Sequence, residues 1–376
     1  MRTVRTSLRR GSLLLAGALP LAALAALQPA TASASAPAGA AGRGGPQRPP
    51  MQLRMESYNT CGHGCLPTKE ACEATIGRDC ATKLEPWADR RAAKVADDIA
   101  ATRADVVATQ EIGNNATPAQ PGVDVESFRA PLTKAMKARG YAEAPADYAG
   151  TRHPQYGYPL KSGAGRFTYY DARRFSHLDE HGKALPHDLL WLPDSTEIYG
   201  KTMTWNTLRE RSTGARFVVV DMHLEFRANG ATDPNGWTKN WDEVRYADAR
   251  RTAEYLTRDN PATRRLPVVF AGDFNSGSKA DGASAYDAFA DVGFADAYEL
   301  AAPQHRTGAE YASFNGGKIP MPSGEKIDHV FVKAGTPVRQ WTLVPQTTAQ
   351  SGEARDLLRS DHNLMHTTVL LERVTR

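Results

Sequence analysis

The chain has 376 residues, with 46 basic and 42 acidic side chains, a formal net charge of +4 and four cysteines. Arg2, Arg5, Arg9 and Arg10 alone supply that excess, so the rest of the chain is electrically balanced. A balanced chain exerts no global pull toward nucleic acid, although local basic patches remain open to it. No break in composition and no internal repeat divides residues 51–376, which read as one large domain.

In chain order, the four arginines precede an apolar run from Leu13 to Leu27, followed by Ala-x-Ala sites ending at Ala32, Ala34 or Ala36. That pattern over residues 1–36 is a secretory signal peptide, and its apolar run is shorter than the ~20 residues of a membrane span. The expected location is therefore extracellular. Residues 37–50, rich in Ala, Gly, Pro and Arg, read as a disordered linker. Gln52–Asn59 alternates Leu53, Met55 and Ser57 against Arg54, Glu56 and Tyr58, which predicts a strand ending at Asn59. Cys61, Cys65, Cys72 and Cys80 follow within one loop. An even, clustered set in an exported chain predicts two disulfides whose pairing stays open. The spacing fits no common zinc pattern, even with His63 included.

Ala92, Val95, Ala96 and Ile99 predict an amphipathic helix over Trp87–Arg103. A buried strand, Asp105–Thr109, then delivers Gln110 and Glu111. Val125–Arg139 reads as a helix closed by Gly140. Tyr148–Gly165, rich in Tyr, Gly and Pro, reads as a long loop bordering a cleft. Strands are expected at Arg166–Tyr170, Lys201–Arg209 and Arg216–Met222, the last presenting His223. Trp237–Arg258 reads as a helix whose Arg and Lys form a solvated face. Pro267–Ser276 is the stretch around which the rest is organised: an apolar strand (Val268, Val269, Phe270, Ala271) that ends in Gly272, Asp273, Phe274 and Asn275. Asp273 and Asn275 share a face if the strand continues, and the same residue types also suit an Asx turn. A short helix at Ser284–Val292 follows. Strands at Lys326–Val332, Val338–Val344 and His366–Glu372 carry or adjoin Asp328, His329, Asp361 and His362.

The polar residues at these strand ends are Asn59, Glu111, His223, Asp273, Asn275, Asp328, Asp361 and His362. No serine or cysteine stands beside a base as a nucleophile. Carboxylates in this number call for a hard divalent cation, Mg²⁺ first and Mn²⁺ or Ca²⁺ as alternatives. A His–Asp pair can hold a charged imidazole against a phosphoryl oxygen or pass protons. Together they point to metal-assisted attack of water on a phosphate ester. His329 follows Asp328 and so faces the other side of its strand, as a structural residue.

The order of motifs resembles the endonuclease/exonuclease/phosphatase superfamily across residues 52–373. The matching segments are Ser-Tyr-Asn59, Gln-Glu111, Asp-Met-His223-Leu, Gly-Asp273-Phe-Asn275, Ile-Asp328-His-Val and Ser-Asp361-His362. The resemblance implies an α/β fold, a four-layer sandwich of two mixed β-sheets packed face to face with helices outside. It also implies a site where strand-end loops converge at one edge. It makes Glu111 the principal metal ligand, with Asn59 assisting the metal or the phosphate and Asp361 completing the metal region. His223 and Asn275 would contact phosphate, Asp273 would position or deprotonate water, and His362 would act at the phosphate with Asp328 behind it. Cys61 stands where some members carry a second metal-binding acid, so one Mg²⁺ is expected. The substrate is a phosphodiester, nucleic acid first. Alternatives are a sphingomyelinase- or phospholipase C-like enzyme, an inositol-phosphate phosphatase, or a binding module that has lost catalysis. No obligate protein partner is called for, and a monomer is expected.

Overall fold

The computed structural model describes residues 49–61, 80–112, 128–144, 166–178, 188–191, 202–232, 236, 238–277, 284–316, 323–345 and 360–375. All of them belong to the unit Arg48–Arg376. The signal peptide, the linker, Cys65, Cys72 and the Tyr148–Gly165 loop lie outside the described residues. Cys61 is disulfide-bonded, while the side chain of Cys80 is likewise outside the description.

Two mixed sheets form the core. The first runs β11 (Arg306–Thr307), β13 (Val338–Val344), β14 (Leu364–Leu371), β1 (Met51–Asn59), β2 (Val106–Gln110), β4 (Phe167–Asp171), β3 (Tyr141–Ala144). The second runs β10 (Phe294–Asp296), β12 (Asp328–Lys333), β9 (Val268–Asp273), β8 (Arg216–His223), β7 (Thr202–Glu210), β5 (Phe175–Leu178), with β6 (Asp188–Trp191) also paired to β7. Strand alternation explains the layers. Met51, Leu53, Met55, Val106 and Ala108 of the first sheet bury against Phe217, Val219, Val269, Ala271 and Val330 of the second. The residues between them face outward. Val107 and Tyr58 meet α1 (Cys80–Ala101) and α2 (Arg129–Ala138) through Ala92, Val95, Ala96, Ile99, Leu132 and Met136. Val218, Val220, Met222 and Phe270 meet α3 (Trp241–Glu254) and α4 (Ala285–Asp291) through Ala249, Ala253 and Phe289. A one-turn helix, α5 (Ala297–Leu300), follows β10. The four-layer α/β sandwich expected from the sequence is the fold observed.

Local chemistry sets the element ends. Asn240 caps α3, with Asp242 and Glu243 in its first turn, and Ser284 and Asp287 close a capping box on α4. Gly140 follows α2 at φ 89°. Gly272 has no alternative: a Cβ there would lie 1.9 Å from the Met222 carbonyl oxygen of the adjacent parallel strand. Two helix boundaries differ from expectation. The first helix begins at Cys80 and runs through Pro86, a residue type at which a sequence reading stops a helix. The third begins at Trp241 and ends in a π turn at Tyr255–Asp259. Its basic face is also not wholly solvated. Arg245 is buried and donates to the carbonyls of Glu225 (2.7 Å) and Arg227 (2.9 Å).

Pairing directions bring the polar strand ends together. β1 and β2 are parallel and end at Asn59 and Gln110, while β14 runs antiparallel to β1 and so begins at that same end. In the other sheet β8 and β9 are parallel and align His223 with Asp273, and antiparallel β12 aligns Asp328 with Asp273. The two ends meet across the sandwich at one edge.

Candidate active site

Asp273 Oδ2 is the focal atom. Asn59 Nδ2 donates to it at 3.0 Å, His223 Nε2 lies 3.5 Å away and His362 Nε2 3.6 Å away. The other oxygen, Oδ1, accepts the Asn275 backbone N–H at 2.9 Å. β9 therefore ends at Asp273 in an Asx turn and does not continue to Asn275 in extended form, yet the carboxylate still projects into the site. Asn275 sits at φ 49° and donates its side-chain amide to the Leu224 carbonyl at 3.1 Å. Of the two readings of this stretch the Asx turn applies: the strand does not continue to Asn275, and Asp273 reaches the site through its other oxygen, Oδ2.

The Asn59 amide nitrogen also donates to Glu111 Oε1 at 3.0 Å, and the Asn59 oxygen accepts the Cys61 backbone N–H at 2.9 Å. Expected among the metal groups, Asn59 turns a donor, and not its oxygen, toward the two carboxylates. Glu111 itself stands at φ 60°, a left-handed conformation that costs a non-glycine residue about 1–2 kcal/mol. Its side chain is one-third exposed, so it opens to solvent where Asp273 does not. Glu111, His223 and Asp273 each offer a ligand atom within 4.8 Å of the others. Two carboxylate oxygens and an imidazole, one of them reachable from water, fit a partly hydrated divalent cation.

A second group, Asp273, Asp328 and His362, is buried. His362 Nδ1 lies 2.8 Å from Asp328 Oδ2, which fixes the ring so that Nε2 faces Asp273. Asp328 Oδ2 orients the ring through that contact, while its buried Oδ1 has no hydrogen-bond partner among the described residues. Asp361 Oδ1 lies 4.0 Å from His362 Nε2 at the rim, and its carbonyl accepts the N–H groups of Asn315 (2.7 Å) and Gly316 (3.0 Å).

Burial raises the Asp273 carboxyl to about 7, partly opposed by the charge of His362. Burial alone would lower His362, but the charges of Asp328 and Asp273 raise it to about 10. Burial also raises Asp361, against the charges of His362 and Arg91. His329 is indeed on the opposite face, with Nδ1 2.6 Å from Asp296 Oδ2 and Nε2 2.8 Å from the Ser276 carbonyl.

All eight site residues named from the sequence thus border one edge. Three supporting residues were not among those named from the sequence. Ser360 Oγ donates to the Asn59 carbonyl and accepts the His362 N–H at 3.0 Å, fastening the end of β1 to the segment that leads into β14. Arg91 is buried, donates to the Thr60 carbonyl at 2.7 Å and is close enough to Glu111 and Asp361 to feel their charge. Asp221, buried between the sheets, accepts from Thr109 N (3.0 Å) and Gln110 Nε2 (2.8 Å) and so braces the approach to Glu111. Ser360 stands in the Ser-Asp-His motif and Asp221 in Asp-Met-His, where both could have been found; Arg91 stands in a helix with nothing to mark it.

The model of the Endonuclease/Exonuclease/phosphatase family matches residues 57–362. Among solved structures the chain is similar to an endonuclease/exonuclease/phosphatase from Bacteroides vulgatus, at 20% identity over 86% of this chain and 100% of the other, TM-score 0.57. A mannosyl-6-phosphatase from Bacteroides thetaiotaomicron shares 17% identity over 85% of this chain and 100% of its own, TM-score 0.55. TDP2 of D. rerio, complexed with a single strand DNA product, shares 16% over 85% and 98%, TM-score 0.51. At these identities the likeness is one of fold. No curated protein matches the sequence.

Proposed function

Because the chain belongs to the Endonuclease/Exonuclease/phosphatase family, a family of metal-dependent phosphoesterases, we propose that it is a secreted Mg²⁺-dependent phosphodiesterase acting on nucleic acid. The observation that carries hydrolysis is the setting of Asp273 Oδ2, ringed by two imidazoles and an amide beside Glu111. Glu111 and Asp273, with His223 beside them, would hold the cation, which neutralises charge on a phosphate oxygen.

The residues of the chain divide the remaining work. Asp273, ringed by Asn59, His223 and His362, holds the attacking water and takes its proton. The water oxygen bonds to phosphorus, and the ester oxygen leaves with the bonding pair. His362, kept protonated by Asp328, sits against the phosphoryl oxygens, where negative charge accumulates. Asn275 and His223 contact the same oxygens. Asn59 holds Glu111 and Asp273 in register.

Nucleic acid is favoured by Phe314, an exposed ring that meets His362 edge-on at 5.1 Å and can stack on a base. An exposed phenylalanine also suits a lipid headgroup region, which keeps the sphingomyelinase-like reading as the second one. Export is supported by the leader at residues 1–36, and two disulfides by the bonded Cys61. The test is a panel of plasmid DNA, RNA, sphingomyelin and a bis-aryl phosphodiester, each with Mg²⁺ and with EDTA. Metal-dependent cleavage of DNA or RNA is expected. Cleavage of sphingomyelin alone replaces the substrate, and cleavage of none leaves a binding module.

A further inference from the structure

Asn275 is a non-glycine residue held at φ 49° two positions after the focal carboxylate. Asparagine enters that conformation more readily than most residues, and here hydrogen bonds on both sides fix it. On the upstream side the restraints are its own: N–H to Asp273 Oδ1 and side-chain amide to the Leu224 carbonyl. Downstream, the restraint passes through Ser276. Ser276 Oγ accepts the N–H of Ala285, the first residue of α4, at 3.2 Å. The Ser276 carbonyl accepts from His329 Nε2 at 2.8 Å.

A carbonyl only accepts, so His329 Nε2 carries a proton, and Nδ1 faces Asp296 Oδ2 at 2.6 Å. Asp296 in turn is fixed by its other oxygen, which caps α5 by accepting the Tyr298 N–H at 2.9 Å. Phe274, Tyr286 and Phe331 surround the imidazole with ring centroids 5.3–6.1 Å away, sealing it from solvent. Neighbouring residues of β12 therefore serve the site from opposite faces. Asp328 aims His362, and His329 anchors the turn that bears Asn275.

We propose that His329, held by Asp296, is a positioning residue that sets the Asn275 amide for contact with the substrate phosphate. Its effect on turnover rests on the proposed phosphodiesterase reading; its effect on the conformation of Asn275 does not.

The test pairs kinetics with structure. His329→Ala is expected to lower kcat on a bis-aryl phosphodiester about 10- to 100-fold per folded molecule, with KM changed less than threefold and Mn²⁺ affinity by calorimetry unchanged. Its crystal structure is expected to show Asn275 out of the left-handed conformation. The double substitution His329→Gln with Asp296→Asn keeps a donor toward Ser276 and a carbonyl on Asp296's cap, and is expected to recover most of kcat. Should His329→Ala prove insoluble, His329→Phe, which keeps the ring among Phe274, Tyr286 and Phe331 and removes the donor, takes its place: Asn275 out of the left-handed conformation supports the role, and Asn275 unmoved overturns it. Asn275 unmoved in His329→Ala overturns the proposal, as does a rate within twofold of wild type. A wild-type protein inactive on every ester overturns the proposed function instead, and the crystallographic comparison still decides the role of His329.

Discussion

Asn59 and Asp273 lie 214 residues apart and on different sheets, yet the amide nitrogen of one is 3.0 Å from the carboxylate of the other. The contact closes the seam at the end of the sandwich, and the same nitrogen reaches Glu111. A buried hydrogen bond to a charged group contributes about 1.5–3 kcal/mol, roughly 10- to 150-fold in rate when it acts on the reacting geometry. Asn59→Ala is accordingly expected to lower kcat/KM by at least tenfold in steady-state assays with saturating Mg²⁺. A loss below threefold would show that the two carboxylates hold their places without it.

His362 depends on Asp328 for orientation and for charge, through the 2.8 Å contact at Nδ1. His362→Ala removes the imidazole and is expected to cost about 10²–10⁴-fold in kcat, with the melting temperature changed little. Asp328→Asn keeps the shape but removes the charge that holds the proton on His362. It should therefore retain more activity than His362→Ala at pH 6 and lose that advantage at pH 9. Equal activity of both variants at both values would mean that the pair has no joint role.

The pH profile of the wild type follows from the same two groups. The reaction needs Asp273 ionised, and burial holds its proton to about 7, so the rate rises through that region; a bound cation moves this limb lower. It also needs His362 charged, and its carboxylate neighbours hold that proton to about 10, so the rate falls only as pH approaches that value. A bell with its alkaline limb above pH 8 is the expected outcome, and Asp328→Asn should draw that limb downward. An alkaline limb unmoved by the substitution would assign it to another group.

How much of this was legible in the sequence depends on distance along the chain. Strand-end residues such as His223 and Asp273 were visible because a buried apolar run announces its strand and the next polar residue marks its end. What was lost was non-local. β3, β5, β10 and β11 are two to four residues long at sheet edges, defined by partners far away in the chain. Arg245 was read as solvated because its helix is polar on most sides; only the return of residues 225–227 buries it. The Asn59 amide orientation was likewise set by the Cys61 backbone and two carboxylates distant in the chain; motifs mark those carboxylates but not which atom of Asn59 faces them.

Glu111 combines a left-handed backbone with a side chain aimed at the metal group, a pairing that suits function over stability. EDTA is expected to abolish turnover and Mg²⁺ to restore it. Glu111→Gln should raise the Mg²⁺ concentration for half-maximal rate at least tenfold while leaving the melting temperature within a few degrees. Full activity of the variant at wild-type Mg²⁺ levels would remove Glu111 from the metal site.

Away from the site, Glu56 lies fully buried on β1 beneath α1, in contact with His366 Nδ1 at 3.2 Å and with Thr102. Its second oxygen has no hydrogen-bond partner among the described residues. Burial raises its pKa, with His366 and Thr102 opposing. The unfolded chain releases this proton in the ordinary carboxylate range, whereas the folded chain holds it to higher pH. Between those two values the folded state binds more protons, so stability is full at low pH and falls as pH rises through the folded pKa. Glu56→Gln supplies the neutral form permanently. In urea unfolding the variant should match the wild type at low pH and be the more stable of the two at pH 8. The reverse, a variant weaker at pH 8, would mean that Glu56 is ionised there, its hydrogen bonds with His366 and Thr102 outweighing burial.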